Sequence, residues 1–331
     1  MRVVSSLLHP DDLARLVERE YDVAGPVVAR LLRRGFNDTY LLADSAGERR
    51  ILRIYSRDKY WVRSADDLLF ELELLNHLAS AGCPVSHPYP RRRGDLLGEL
   101  EAPEGERHFA LFTFAPGVPP GEDGSLGIER ARALGTEIAR LHVAMDEFGS
   151  PRHRYHLDLE RLVDMALTAI AEHVGPHQQA SYAELRTLTE RLKAYITRLD
   201  LPEHAYGLIH GDLYGGNIHL TSAGEFVVFD FDHCGFGWRA YDLTNFYPRQ
   251  DSSDAKREAW SAIAAGYASV RAWSEAEQRA MPAFAACREL WDVGDWLGAA
   301  HWAGHDVAPE RLSQRALDRV RRALGSFRWE G

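Results

Sequence analysis

Between Leu208 and Asp232 the chain reads LIHGDLYGGNIHLTSAGEFVVFDFD, a stretch that carries an Asp, an Asn and a second Asp at spacings that can do chemistry. Two short β-prone runs, Ile218 to Thr221 and Phe226 to Phe229, flank Ser222-Ala223-Gly224-Glu225, and this pattern predicts a hairpin. An antiparallel hairpin returns its last residue beside its first, so Asn217 and Asp230 are expected side by side, with Asp212 on the loop leading in. Asn and Asp oxygens are hard ligands suited to Mg²⁺, which keeps several waters and is shared with substrate phosphates. A further carboxylate left free of the metal can orient or deprotonate a hydroxyl.

The elements that would position this stretch fall into two kinds. Pro10 to Tyr21 has helical spacing with Asp11 and Asp12 in its first turn. Pro26 to Leu32, Asp38 to Ala43 and Arg50 to Tyr55 predict a three-stranded antiparallel meander, and the turn ending in Asn37 is either a phosphate-covering loop or an ordinary tight turn. In ILRIY the alternation sets Arg53 on the opposite face from Leu52 and Ile54, where it meets phosphate or simply faces solvent. Asp66 to Ser80 is an amphipathic helix that brings Glu71 as a candidate partner for Arg53 and ends at Gly82. A loop is expected from Arg91 to Gly105, then a strand from His108 to Phe114. Prolines and glycines after Pro116 mark a boundary, giving expected domains 1–114 and 115–331. Beyond it, helices are predicted over 128–146, 157–172, 180–199, 254–272, 275–300 and 309–327, interrupted by the single hairpin. The fold class is α+β: a small β-rich N-terminal lobe and a larger mainly helical C-terminal lobe.

Composition narrows the function. At 331 residues the chain exceeds the about 250–300 at which single cores stop growing, so two lobes are expected. Its formal net charge of −10 works against nucleic-acid binding, and Arg91 to Arg93 form the only compact basic run, placed on a turn. No apolar run reaches a membrane span and no secretory leader is visible, so a cytoplasmic protein without membrane contact is expected, as monomer or homodimer. Cys83, Cys234 and Cys287 are scattered and support neither disulfides nor a zinc site.

HGDLYGGN matches the HxDxxxxN spacing of protein-kinase-type catalytic loops, in which a later Asp binds metal. With FDFDHCG at Phe229 to Gly235, YDLTNF at Tyr241 to Phe246 and ARLH at Ala139 to His142, nearly the whole chain resembles the aminoglycoside phosphotransferase and choline kinase superfamily. That superfamily also includes type II homoserine kinases and a bacterial stress-response protein kinase. The resemblance implies a protein-kinase-like bilobal fold. It further implies Asp212 as catalytic base, His210 as a loop-shaping residue, Asn217 and Asp230 as Mg²⁺ ligands, and Asp242 as a brace for the loop. Arg53 stands where lysine is common in the family, pairing with Glu71, and Phe112, Thr113 and Phe114 correspond to the hinge that meets the purine. The implied reaction is γ-phosphoryl transfer from ATP or GTP to a small-molecule hydroxyl: an antibiotic, an amino alcohol, a homoserine-like metabolite or a nucleoside.

The acceptor pocket is expected on the segment Cys287 to Asp306. Glu289, Asp292 and Asp295 could bind amines there, and Trp291, Trp296 and Trp302 could stack on a sugar, base or quaternary ammonium; core packing is the alternative for each. Asp232 neighbours the metal-site Asp and is a further candidate. Three other readings remain: a protein Ser/Thr kinase, a non-catalytic nucleotide-binding protein, and a phosphoesterase with transition metals on His210, Asp212, His219, Asp230, Asp232 and His233. His219 alternates away from Ile218 and Leu220, so not all of that last set can converge.

Overall fold

The runs NDTYLLA and RRILRIY alternate apolar and polar residues, and in the computed structural model they lie side by side with Tyr40, Leu42, Leu52 and Ile54 buried on one face. The structure describes residues 3–57, 59–121, 126–249, 251–303, 314 and 317–323. It divides into two units: Met1–Val118 with Phe148–Arg154 and His219–Asp232, and Pro119–Glu147 with Tyr155–Ile218 and His233–Gly331.

In the first unit, β1 (Val28–Arg34), β2 (Asn37–Ala43), β3 (Arg49–Tyr55), β4 (Gly98–Ala102) and β5 (Gly105–Thr113) form one antiparallel sheet in the order β1-β2-β3-β5-β4. Helix α1 (Pro10–Glu20), whose first turn is capped by His9, lays Leu13, Leu16 and Val17 against the sheet residues Tyr40, Leu52 and Leu111. Helix α2 (Ala65–Ser80) is capped by Ser64 and followed by Gly82 at φ +80°, a left-handed conformation suited to glycine. Strand β4 corrects the expected loop. GELEA has little strand propensity of its own and is held by pairing along β5, where Gly98 lets the Phe109 ring lie where a Cβ would stand, 2.2 Å from its Cζ.

The second unit begins with α3 (Ile128–Asp146), β6 (His156–Leu157), a π-helical turn over Glu160–Met165 leading into α4 (Ala166–Ala171), α5 (Gln179–Arg198) and β7 (Tyr206–Ile209). The helix expected over 157–172 is therefore shortened, because its first residue, Leu157, pairs parallel to a later strand. Past the HGDLYGGN loop, β8 (Ile218–Leu220) and β9 (Phe226–Val228) make the expected hairpin. From His219 onward it groups with the first unit, through bridges from Leu220 to Val118 and from Val228 to Val85.

Strand β10 (Gly235–Trp238) lies between β6 and β7, so the helical unit holds a three-stranded sheet that sequence periodicity did not show. Four-residue strands are too short to print a period, and Gly235 and Gly237 carry no β signal. Helices α6 (Arg239–Asp242), α7 (Asp254–Ala268) and α8 (Glu275–Ala303) follow. Gly135 of α3 and Gly266 of α7 sit against each other's backbones, which brings the two axes close. Most of the helix expected over 309–327 lies outside the described residues, although 317–323 are helical with Leu317 and Val320 buried. Among the described residues no helix is long and apolar enough to cross a membrane.

Candidate functional site

Strand β7 delivers the chain into the HGD loop of the second unit, and the loop is held from behind by one carboxylate. Asp242, at the end of α6, accepts the His210 N–H at 2.7 Å on Oδ2 and the Gly211 N–H at 2.8 Å on Oδ1. His142 of α3 reaches the same carboxylate, with Nε2 3.1 Å from Oδ2 and Nδ1 2.9 Å from the Tyr267 hydroxyl. Burial alone would raise the Asp242 carboxyl, but the hydrogen bonds from His142 and from the His210 backbone hold it below its ordinary value. Burial in turn lowers His142, so a neutral imidazole donates from Nε2 and accepts the Tyr267 hydroxyl proton at Nδ1. Gly211 is at φ +80°, and a Cβ there would lie 2.2 Å from the His233 carbonyl oxygen, so only glycine makes this turn.

His210 is fully buried and accepts the Asp212 N–H on Nδ1 at 3.2 Å, which shapes the loop locally. Asp212 retains 22% side-chain exposure, and both its oxygens are engaged from the protein side. Asn217 Nδ2 donates to Oδ2 at 3.1 Å and to the Asp212 carbonyl at 2.9 Å. Arg288 of α8 donates Nη2 to Oδ1 and Nη1 to the Gly211 carbonyl at 3.0 Å.

The expected acceptor segment is α8 itself. Asp292 lies 2.7 Å from Arg288 Nε and 3.2 Å from Arg319, and Glu289 is paired with Arg249 and Arg319. Two of the three carboxylates expected from sequence to meet amines, Asp292 and Glu289, thus stand in an alternating chain of charges, Asp212, Arg288, Asp292, Arg319, Glu289, Arg249. Trp291 is 4% exposed and packs edge-on to His233, Asp295 is 5% exposed, and Trp296 is 47% exposed. Trp302 has its side chain outside the described residues.

The first unit assembles a second cluster. Arg53 on β3 donates Nη1 to Glu71 Oε1 at 2.8 Å and Nη2 to Asp230 Oδ1 at 2.9 Å, beneath the Phe112 ring at 5.1 Å. Burial works against the guanidinium charge, and Asp230 and Glu71 more than offset it, so its pKa is above the ordinary value. Burial also holds the fully buried Glu71 carboxyl high, opposed by Arg53. Asp230 is the one described non-glycine residue with positive φ, +66°, which turns its carboxylate out of the line of β9.

Asp232 is 4% exposed and fully engaged: Oδ1 accepts Lys59 Nζ at 2.6 Å, Oδ2 accepts Asn37 Nδ2 at 3.1 Å, and its carbonyl accepts Arg154 at 2.6 Å. Asn37, proposed for the nucleotide loop, is thereby tied to Asp232 and to the Ser56 N–H. At the expected hinge, Phe112 lies in β5, Thr113 spends its N–H on His87 and its carbonyl on Ser86, and Phe114 lies under the Arg49 guanidinium at 4.0 Å.

Sequence reasoning missed Lys59, Arg154 and Arg288. Arg288 carried a faint signal, four residues before Asp292 on a helical segment. Lys59 and Arg154 carried none, because their partners lie 173 and 78 residues away.

A β-rich unit carrying an Arg–Glu pair, joined in one chain to a helical unit carrying an Asp–Asn loop, is the architecture of kinase-like phosphotransferases. The chain belongs to the phosphotransferase enzyme family, whose model matches residues 28–290, and it is a phosphotransferase with an alcohol group as acceptor. A Deinococcus radiodurans protein with no assigned function is 37% identical over 300 residues, covering 89% of this chain and 84% of its own. A homoserine kinase of Gluconacetobacter diazotrophicus is 29% identical over 272 residues, covering 80% and 79%. The structure of a microcompartment-associated aminopropanol kinase superposes with a TM-score of 0.74 at 26% identity, covering 95% of each chain.

Proposed function

We propose that the chain transfers the γ-phosphoryl group of ATP or GTP to the hydroxyl of a small amine-bearing compound, with Asp212 as the base. The observation that carries the reading is the state of Asp212: fixed through both oxygens within its loop, yet 22% exposed. The acceptor oxygen bonds to the γ-phosphorus, the bond from that phosphorus to the bridging oxygen of the β-phosphate breaks, and the hydroxyl proton passes to Asp212. In a loose transition state the hydroxyl becomes acidic only as the new bond forms, so a tethered, ionised carboxylate suffices.

Asn217 and Asp230 are proposed as Mg²⁺ ligands. Asn217 spends its nitrogen on Asp212 and keeps its amide oxygen, while Asp230 gives Arg53 one oxygen and keeps the other, so both offer the hard oxygens that Mg²⁺ takes. Bound there, the ion would supply charge neutralisation for the phosphate oxygens. Arg53 is proposed to meet phosphate. The purine edge is assigned to the backbone of Phe114, because Thr113 has already spent both its backbone polar groups. The amine-bearing acceptor rests on two relatives whose names give homoserine and aminopropanol as substrates, both short hydroxyl compounds with an amine.

The test is ADP release from Mg²⁺-ATP across a panel of hydroxyl compounds, comparing the native chain with Asp212→Asn and Asp230→Asn. Asparagine is chosen because alanine at 212 would strand the buried Arg288. Asp212→Asn is expected to lower turnover by roughly 10²–10⁴-fold with nucleotide affinity unchanged. Asp230→Asn should weaken Mg²⁺-dependent nucleotide binding. Undiminished turnover in Asp212→Asn would remove the assignment.

A further inference from the structure

We propose that Arg288 is a positioning residue for the base: its guanidinium fork fixes the orientation of the Asp212 carboxylate relative to the HGD loop. This rests on the reading of Asp212 given above and extends it to a residue on α8, 76 positions away in sequence.

The case is geometric. The Arg288 side chain is 8% exposed, and each of its three nitrogens has an assigned place. Nη1 donates to the Gly211 carbonyl at 3.0 Å, Nη2 donates to Asp212 Oδ1, and Nε lies 2.7 Å from Asp292 Oδ1, at an angle that makes an ion pair and not a hydrogen bond. The plane of the fork is set by aromatic rings, with Tyr241 5.7 Å and Trp291 4.8 Å from the guanidinium carbon. Arg288 therefore grips the base by its side chain and by the backbone just before it, so the carboxylate cannot turn without dragging the HGD loop.

Asn217 Nδ2, at 3.1 Å, fixes the other oxygen. Arg288 and Asn217 together fix both oxygens of the carboxylate, and with them the direction from which a hydroxyl can be met. A structural cation would be served as well by any buried carboxylate. Arg288 instead serves two carboxylates of equal side-chain exposure, 22% each, Asp212 within the HGD loop and Asp292, itself tied to Arg319. Lysine cannot reproduce this, since a single ammonium has no planar fork to span the Gly211 carbonyl and two carboxylates together.

The experiment uses the full chain and reads ADP release from Mg²⁺-ATP with 1-amino-2-propanol or L-homoserine as acceptor, or with water when both are omitted. Arg288→Ala is expected to lower kcat by roughly 10²-fold, the scale for misplacing a reacting group, with KM for ATP within about three-fold of native. Millimolar guanidinium should restore a measurable part of that loss, and urea at the same concentration should not. Arg288→Lys should fall between native and Arg288→Ala.

Native-like turnover in Arg288→Ala, while Asp212→Asn is inactive, overturns the positioning role and leaves the base intact. Full recovery in Arg288→Lys marks Arg288 as a cation only, loss of turnover that guanidinium does not recover marks it as structural, and either result overturns the proposal. Full activity of Asp212→Asn, or no turnover by the native chain with any of these acceptors, removes the underlying reading and the proposal with it. If Arg288→Ala does not fold, Asp292→Asn, which loosens the fork while keeping its cation, must lower kcat more than KM; unchanged kcat there overturns the proposal.

Discussion

Lys59 Nζ lies 2.6 Å from Asp232 Oδ1, with the lysine side chain wholly buried and the aspartate side chain 6% exposed. Burial lowers the Lys59 pKa, and Asp232 is the first of the charges that oppose it. Such a pair is a tether, and it binds the segment after Asp230 to the segment that follows β3 in the first unit. Removing one member leaves the other charged and buried, so Asp232→Ala is expected to cost about 3–5 kcal/mol. Lys59→Met with Asp232→Leu should cost less than Asp232→Ala alone. Urea unfolding of the two variants checks this, and equal losses would contradict it.

Asp242 serves two backbone N–H groups with one oxygen each. In Asp242→Asn the amide nitrogen must face one of those donors, leaving it unsatisfied at a cost of about 1–3 kcal/mol. The loop it braces carries Asp212, so kcat should also fall, by roughly 10²-fold. Equilibrium unfolding and steady-state kinetics on the same preparation separate the two effects.

His142 makes stability depend on pH in a defined sense. Its folded pKa is depressed below the ordinary 6.5 by burial, so the unfolded chain binds the proton more readily. Stability from this residue is complete above about 6.5 and is lost as pH falls from there toward the folded value. The melting temperature of His142→Gln should therefore decline less steeply than that of the native chain between about pH 6.5 and 5. Parallel curves would show that the imidazole does not contribute.

Gly266 of α7 faces the backbone of α3, where a Cβ would stand 2.0 Å from the Arg132 carbonyl oxygen. Glycine to alanine inside an exposed helix is stabilising by about 0.5–1 kcal/mol, but here the helices must part. Gly266→Ala is expected to destabilise by about 1–3 kcal/mol, the cost of overpacking. A raised melting temperature would contradict the close approach.

The residues proposed to do chemistry were legible because their signals are local. HGDLYGGN and FDFD are short spacings, the hairpin between them is written by a turn and two β-prone runs, and ILRIY shows its arginine by alternation alone. Helices of three or more turns, such as α2 and α8, were legible through their period. Strands β4, β6, β7 and β10 were not, because two to five residues, in three of the four strands with interspersed glycine or glutamate, hold no pattern until a neighbour supplies the hydrogen bonds.

What the sequence by itself determined is the set of groups available: which carboxylates, amide and guanidinium can act, and on which loops. Only the tertiary structure decided which of them are spent. It ties Asp232 both to Asn37 and to a lysine that no spacing announces, and it commits Glu289 and Asp292 to arginines. It also places Arg288 on Asp212 from a helix 76 residues away. The reason is physical: a buried charge must find an opposite one, and the partner is chosen by distance in space, which the order of residues does not record.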